Sequence, residues 1–126
     1  MGPTALLADD DETIRSILQH KLSAEGYELI VCEDGQEARE AFEQPDNLPD
    51  IAILDVMMPR LEGTQLLRMV RRGELDVDPQ LPVMLLTSRG REDDVLDGLE
   101  YGADEYLTKP FSPNEVVVRL ENILDR

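Results

Sequence analysis

The sequence is poor in cysteine and has no long apolar run, and each absence excludes a class of protein. Cys32 is the only cysteine, which rules out an internal disulfide bond and a metal site built from several thiolates. No apolar run approaches the ~20 residues that a membrane-spanning helix needs. The first residues also lack the basic and apolar regions of a secretion signal. We therefore expect a cytoplasmic protein.

Basic residues are scarce as well. Lysine and arginine together number 12 against 28 acidic residues, and the formal net charge is -16. Such a surface should repel the phosphate groups of nucleic acids and anionic lipids. The glycine motifs G-x-x-x-x-G-K-[ST] and G-x-G-x-x-G, which bind nucleotides, do not occur. We expect no direct contact with nucleic acid, membrane or nucleotide.

Short apolar runs alternate with amphipathic stretches along the chain, which is typical of βα units winding a parallel sheet. The length suits a single domain over residues 1–126, with no second domain in this chain. Three of the runs are continuously apolar, as in strands covered on both faces, while the second and fifth begin with an acid and are predicted to be edges. The pattern predicts an α/β fold, a flavodoxin-like, doubly wound, five-stranded parallel sheet in the order 2-1-3-4-5 with five helices. The predicted strands are Thr4 to Ala8, Glu28 to Cys32, Ile51 to Leu54, Val83 to Leu86 and Glu105 to Leu107.

Helix signals fall between these strands. The first helix is indicated by apolar residues at helical spacing from Ile14 to Leu22. Capping boxes at Asp34 and Ser112 predict the starts of the second and last helices. The third and fourth helices are predicted at roughly Gly63 to Arg72 and Glu92 to Tyr101, and the surface loops at Gln44 to Asp50 and Gly73 to Pro82.

The residues that follow the strands could carry chemistry, because ligands of open parallel sheets bind at the carboxyl ends of the strands. Asp9 and Asp10 follow strand one, Asp55 follows strand three, Thr87 follows strand four and Lys109 follows strand five. Strands one and three are neighbours in the predicted order, so their acids should converge and repel one another. Such a cluster needs a cation, and oxygen ligands favour Mg²⁺.

A carboxylate beside a hard dication and a lysine is suited to acyl-phosphate chemistry. Asp55 is the candidate nucleophile, and the hydroxyl of Thr87 could hydrogen-bond the new phosphoryl group. Taken alone, an Asp at a strand end is most often a turn or cap residue, and Lys109 alone would be a surface charge. The prediction depends on the combination of four strand ends.

Four segments resemble the motifs of response-regulator receiver domains of two-component systems. They are LLADDDE at residues 6–12, ILDVMMP at 53–59, LLTS at 85–88 and YLTKPF at 106–111. The resemblance covers nearly the whole chain and implies a CheY-like fold. It implies that Asp55 accepts a phosphoryl group from a histidine kinase or phosphotransfer protein. It also implies Mg²⁺ at Asp10, Asp55 and the backbone carbonyl of Met57, with Asp9 acting mainly through metal-bound water.

Further roles follow from the same resemblance. Lys109 would pair with the phosphoryl group, and its peptide bond to Pro110 would be cis. Thr87 and Tyr106 would couple phosphorylation to the face made of the fourth helix, the fifth strand and the fifth helix. Met57 and Arg89 would flank the phosphoryl group and tune its hydrolysis.

A kinase would dock on exposed residues of the first helix such as Arg15, and on the loop at Pro110 and Phe111. An output domain beyond Arg126 and a homodimer formed on phosphorylation are both compatible with this family.

Two other functions compete with this interpretation. A phosphatase or phosphotransferase of the haloacid-dehalogenase type also forms an aspartyl phosphate, but it needs a second Asp two residues after the nucleophile. That position is Met57 here. A receiver-like module that has lost phosphorylation would serve only as a binding platform, which the intact set of polar strand ends argues against.

Overall fold

Five parallel strands form the centre of the computed structural model, which describes residues 2–87 and 102–125. Their order across the sheet is β2-β1-β3-β4-β5, so the predicted order and both predicted edges are confirmed. Three strands end one polar residue later than predicted, because Asp55, Thr87 and Thr108 still pair with the neighbouring strand. The strands are β1 (Thr4–Ala8), β2 (Glu28–Cys32), β3 (Ile51–Asp55), β4 (Val83–Thr87) and β5 (Glu105–Thr108).

Four of the five predicted helices lie within the described residues. They are α1 (Glu12–Ala24), α2 (Gly35–Ala41), α3 (Gly63–Arg71) and a C-terminal helix (Pro113–Leu124). The predicted fourth helix, Glu92 to Tyr101, lies outside the described residues. Among the helices described, none has the length and apolar character required to cross a bilayer.

Short polar side chains begin α1, α2 and the C-terminal helix, and the sequence predicts two of these caps, Asp34 and Ser112. Asp11 accepts hydrogen bonds from the backbone N–H groups at the start of α1, and Ser112 accepts one from Glu115 at 3.1 Å. Asp34 caps α2 through the N–H of Glu37 at 2.9 Å. A capping box also has a second hydrogen bond, from the N–H of the cap residue to the side chain three residues later. Here the Glu37 carboxylate accepts instead from the N–H of Glu33, one residue before Asp34.

The core lies on both faces of the sheet. One cluster packs α2 and α3 against one face, with Phe42, Leu66 and Leu67 among its buried side chains. The other packs α1 and the C-terminal helix against the opposite face, around Leu18, Leu22 and Leu120. Helices on both faces leave the carboxyl ends of the strands as the open edge, where the polar residues lie.

Candidate functional site

Three carboxylates converge at the carboxyl ends of β1 and β3. Asp9 and Asp55 are buried and Asp10 is exposed. One oxygen of each lies within 4.8 Å of those of the other two. The convergence follows from the topology, since β1 and β3 are paired in parallel and end at the same edge. Hard oxygen donors at this separation fit an ion such as Mg²⁺, which binds one or two protein carboxylates and retains water ligands.

Lys109 places a cation between the two buried acids. Its ammonium nitrogen lies 2.9 Å from Oδ2 of Asp9 and 3.3 Å from Oδ2 of Asp55. The backbone N–H of Lys109 donates to the carbonyl of Thr87 at 2.6 Å, which ties the end of β5 to the end of β4. The Lys109–Pro110 peptide bond is cis. The structure thus brings together the acids and the lysine of three strand ends, and the backbone of Thr87 at a fourth strand end contacts Lys109.

Backbone groups hold the two buried carboxylates in place. The N–H of Asp11 donates to Oδ1 of Asp9 at 2.9 Å, and the N–H of Met57 donates to Oδ1 of Asp55 at 3.3 Å. Gly63 packs so closely that a Cβ there would lie 2.3 Å from the carbonyl oxygen of Asp55. The start of α3 therefore rests directly on the backbone of the candidate nucleophile, which only glycine permits.

The pKa of Asp55 is unusually high for a carboxylic acid. Burial, and then the nearby charge of Asp9, raise the pKa of Asp55 to about 7, although Lys109 and the N–H of Met57 oppose the shift. Burial alone would lower the pKa of Lys109, but its hydrogen bond to Asp9 and the charges of Asp55 and Asp9 outweigh burial and raise it. Lys109 is therefore charged at neutral pH, whereas burial and Asp9 oppose the ionisation of Asp55.

The loop after Asp55 carries a feature that sequence reasoning missed. Arg60 has a φ of 71°, and the N–H of Leu61 donates across it to the carbonyl of Pro59 at 2.8 Å. Such a turn strains a residue other than glycine. The Arg60 guanidinium reaches buried Asp34 at 2.6 Å. The backbone N–H of Glu37, and then Arg60, lower the pKa of Asp34 below its usual value in spite of burial.

The predicted switch residues occupy neighbouring strands. Thr87 ends β4 and is buried, and Tyr106 lies on β5 opposite Leu85, partly buried. Thr87 is two residues after Leu85, and residues two apart share a face of a strand. Because Tyr106 pairs with Leu85, Thr87 and Tyr106 lie on the same side of the sheet. Tyr106 packs against the core cluster beneath α3. Ser88 and Arg89, which follow Thr87, lie outside the described residues.

An apolar groove of about 450 Å³ lies beside Lys109. It explains why Ile17, part of the predicted apolar stripe of α1, is 47% exposed. Arg15, expected to be exposed, is instead turned inward, with only 14% of its side chain exposed. The groove is lined by Ile14, Ile17, Leu18, Lys109, Pro110, Phe111 and Pro113.

Comparison with known proteins agrees with this geometry. Residues 5–121 match the response regulator receiver domain family. The chain belongs to this family. Receiver domains are signalling switches rather than enzymes of the usual kind, and the phosphoacceptor role of two-component systems applies to this chain. The family binds Mg²⁺ at its acidic pocket, where this receiver domain has its three carboxylates.

Similar proteins include regulators of transcription. The phosphate regulon transcriptional regulatory protein PhoB of Pseudomonas aeruginosa is 43% identical over 126 residues, covering 100% of this receiver domain and 53% of that protein. The alkaline phosphatase synthesis transcriptional regulatory protein PhoP of Bacillus subtilis is 41% identical, with coverages of 100% and 50%. The chain spans about half the length of the curated relatives it matches.

A solved structure shares the fold closely. The Francisella response regulator 1452 receiver domain superposes with a TM-score of 0.89 at 34% identity, covering 99% of this chain and 98% of that one. The family and the five-stranded fold predicted from sequence are therefore confirmed.

Proposed function

We propose that Asp55 accepts a phosphoryl group from a phosphohistidine of a histidine kinase or phosphotransfer protein. In this proposal Mg²⁺ is bound by Asp10, Asp55 and the backbone carbonyl of Met57, with Asp9 contacting the ion through water. The observation that supports it most strongly is the convergence of three carboxylates around Lys109 at one edge of the sheet. The proposed unit is one receiver domain over residues 1–126, acting in the cytoplasm.

The chain's own residues have distinct parts in the transfer. A carboxylate oxygen of Asp55 attacks phosphorus in line with the departing imidazole, so a P–O bond forms as the P–N bond breaks. The attacking form is the ionised one, which the positive charge of Lys109 favours. When bound, Mg²⁺ neutralises charge on the phosphoryl oxygens. Lys109, already within hydrogen-bond distance of Asp55, supplies a second cation to these oxygens.

Thr87 and Tyr106 would transmit the effect of phosphorylation from Asp55 across the sheet. The hydroxyl of Thr87 donates to a phosphoryl oxygen, and Tyr106 on the adjacent strand follows the movement of Thr87. This couples phosphorylation to the face that includes β5 and the C-terminal helix. An output domain beyond Arg126 and a homodimer through this face are the proposed readouts. Light scattering with and without a phosphoryl mimic tests for the homodimer.

The groove beside Lys109 is the proposed docking site for the phosphohistidine protein. Its lining is almost entirely apolar, and it includes Lys109, whose ammonium contacts Asp55. Ile17→Asp should slow transfer from a phosphorylated kinase while leaving labelling by a small phosphoramidate unchanged. Val118→Asp, which alters an exposed aliphatic residue of the C-terminal helix, is the control. Equal transfer rates in the two variants would contradict the docking site.

The central experiment is incubation with acetyl phosphate, with and without Mg²⁺, followed by intact-mass analysis. A phosphoryl adduct should form only with Mg²⁺ and should disappear in Asp55→Asn. Asp11→Asn is the matched control, because Asp11 is an exposed acid beside the site and Asn also caps helices. An adduct that persists in Asp55→Asn, or none at all with Mg²⁺, would refute the proposal and favour a module that only binds other proteins.

A further inference from the structure

Arg15 of α1 is directed at the acidic site rather than at solvent. One guanidinium nitrogen, Nη1, donates to the backbone carbonyl of Asp9 at 2.8 Å. The other, Nη2, lies 3.4 Å from Oε1 of Glu33, just beyond the end of β2. The Arg15 side chain is 14% exposed and that of Glu33 is 67% exposed. The bond to Asp9 is therefore the sheltered contact, and exposed pairs such as Arg15–Glu33 contribute little.

The carbonyl that Arg15 binds, that of Asp9, lies one residue beyond the last paired residue of β1. The pairing of β1 with β2 ends at Ala8 and Cys32, and the N–H of Asp9 still donates to Cys32 at 3.3 Å. The carbonyl of Asp9 belongs to the peptide unit that joins Asp9 to Asp10. A planar, charged donor on this carbonyl restrains the orientation of that whole unit.

Among the three carboxylates, Asp10 is the one whose position depends most on the orientation of this peptide unit. The Asp9 carboxylate is already held by the N–H of Asp11 and by Lys109, and Asp55 is buried in the sheet. Asp10 is exposed, so its position follows from the backbone that carries it. Residues that orient metal ligands through a hydrogen bond commonly matter for metal affinity.

We propose that Arg15 is a positioning residue for the metal site, where its bond to the Asp9 carbonyl orients the Asp9–Asp10 peptide for Mg²⁺ binding. This inference depends on the proposed Mg²⁺ site. It predicts that replacing Arg15 weakens Mg²⁺ binding, which is opposite to the change that simple electrostatics predicts. A nearby positive charge repels a cation, so loss of charge alone would tighten Mg²⁺ binding. Loss of orientation would weaken it.

The test is the dissociation constant of Mg²⁺, measured by calorimetry on the full chain without a phosphoryl donor. Arg15→Gln should weaken binding by about tenfold, the lower end of the effect of residues that orient ligands. Arg15→Lys, which keeps the charge and one donor, should fall between Arg15→Gln and the unchanged protein. Glu33→Gln and Arg39→Ala are controls that should bind Mg²⁺ normally. The first removes the exposed partner of Arg15, and the second removes a half-exposed arginine of α2 that pairs with Glu43.

A second readout distinguishes positioning from a purely structural role. The Mg²⁺ concentration needed for half-maximal labelling by acetyl phosphate should rise in Arg15→Gln, with the rate at saturating Mg²⁺ little changed. Thermal unfolding in chelator should change little. If Arg15→Gln does not fold, Arg15→Lys provides the same comparison.

Mg²⁺ binding that is equal or tighter in both variants would overturn the inference while leaving the proposed function intact. An unchanged protein that binds no Mg²⁺ would overturn both.

Discussion

The ammonium of Lys109 lies closer to Asp9 than to Asp55, at 2.9 Å against 3.3 Å, although Lys109 and Asp9 are 100 residues apart in the chain. The nearer anionic partner of this lysine is thus the acid that is not the proposed nucleophile. In the proposed transfer Lys109 turns towards the phosphoryl oxygens, and its two contacts already place it between the two acids.

Lys109→Ala should slow labelling by acetyl phosphate by about tenfold or more at saturating Mg²⁺, because a preorganised charge opposite the reacting oxygens is lost. The pKa of Asp55 should rise further, since Lys109 is one of the groups that lower it. The measurement is the labelling rate as a function of pH. Lys109→Arg, which keeps the charge, is the control and should lose less. Equal rates in the Ala variant and the unchanged protein would exclude Lys109 from the transfer.

The raised pKa of Asp55 makes stability depend on pH in the absence of metal. From the unfolded value of 3.8 up to about 7, the folded chain holds a proton that the unfolded chain releases. This group therefore lowers the free energy of unfolding as pH rises through that window. Asp55→Asn, which cannot ionise, should melt higher than the unchanged protein in chelator, and by more at about pH 8 than at about pH 5.

The comparison between the two proteins at each pH cancels the titration of acids that do not interact with Asp55. Adding Mg²⁺ should stabilise the unchanged protein more than Asp55→Asn. A melting difference that does not vary with pH would mean that Asp55 has an ordinary pKa.

Gly63→Ala tests the contact between α3 and the backbone of Asp55. The added Cβ would lie 2.3 Å from a carbonyl oxygen that belongs to the buried end of β3. Overpacking of this kind costs about 1–3 kcal/mol, whereas the gain of alanine over glycine, about 1 kcal/mol in a helix interior, is smaller at the first residue of a helix. Because backbone opposes the methyl group, we expect a net loss of stability in urea unfolding and slower labelling of Asp55. Thr64→Ala, one residue along the same helix, should change both far less.

Arg71 joins the segment that precedes β4 to the segment that precedes β5, away from the acidic site. Its guanidinium donates to the carbonyls of Pro79, Leu81 and Gly102 and to the carboxylate of Asp104. Arg71→Ala should lower the free energy of unfolding by about 2–3 kcal/mol, because partly buried acceptors lose a charged donor.

Arg72→Ala is the matched control, because Arg72 is 61% exposed and its contact with Glu74 is 4.0 Å long. We expect a change within about 0.5 kcal/mol. Urea unfolding of both variants gives the comparison. Similar losses in the two would show that the contacts of Arg71 contribute no more than a surface pair.

The sheet and most of the site could be predicted because their signals are local. The apolar run Ile51 to Leu54 specifies a strand buried on both faces, and Asp55 directly after it must lie at the open edge. Parallel pairing then brings the ends of β1 and β3 together regardless of surface detail. The sequence by itself therefore determined the fold, the strand order and the convergence of the acids with Lys109.

The partners of the long cationic side chains were decided only by the tertiary structure. Arg15, Arg60 and Arg71 each bind groups outside their own helix or loop, and nothing in their local sequence distinguishes an inward from an outward rotamer. Their orientation depends on which carbonyls and carboxylates remain unpaired once the strands and loops are in place. Flexible side chains with several equivalent rotamers take their direction from those acceptors, and for Arg60 and Arg71 only the folded chain brings the acceptors within reach.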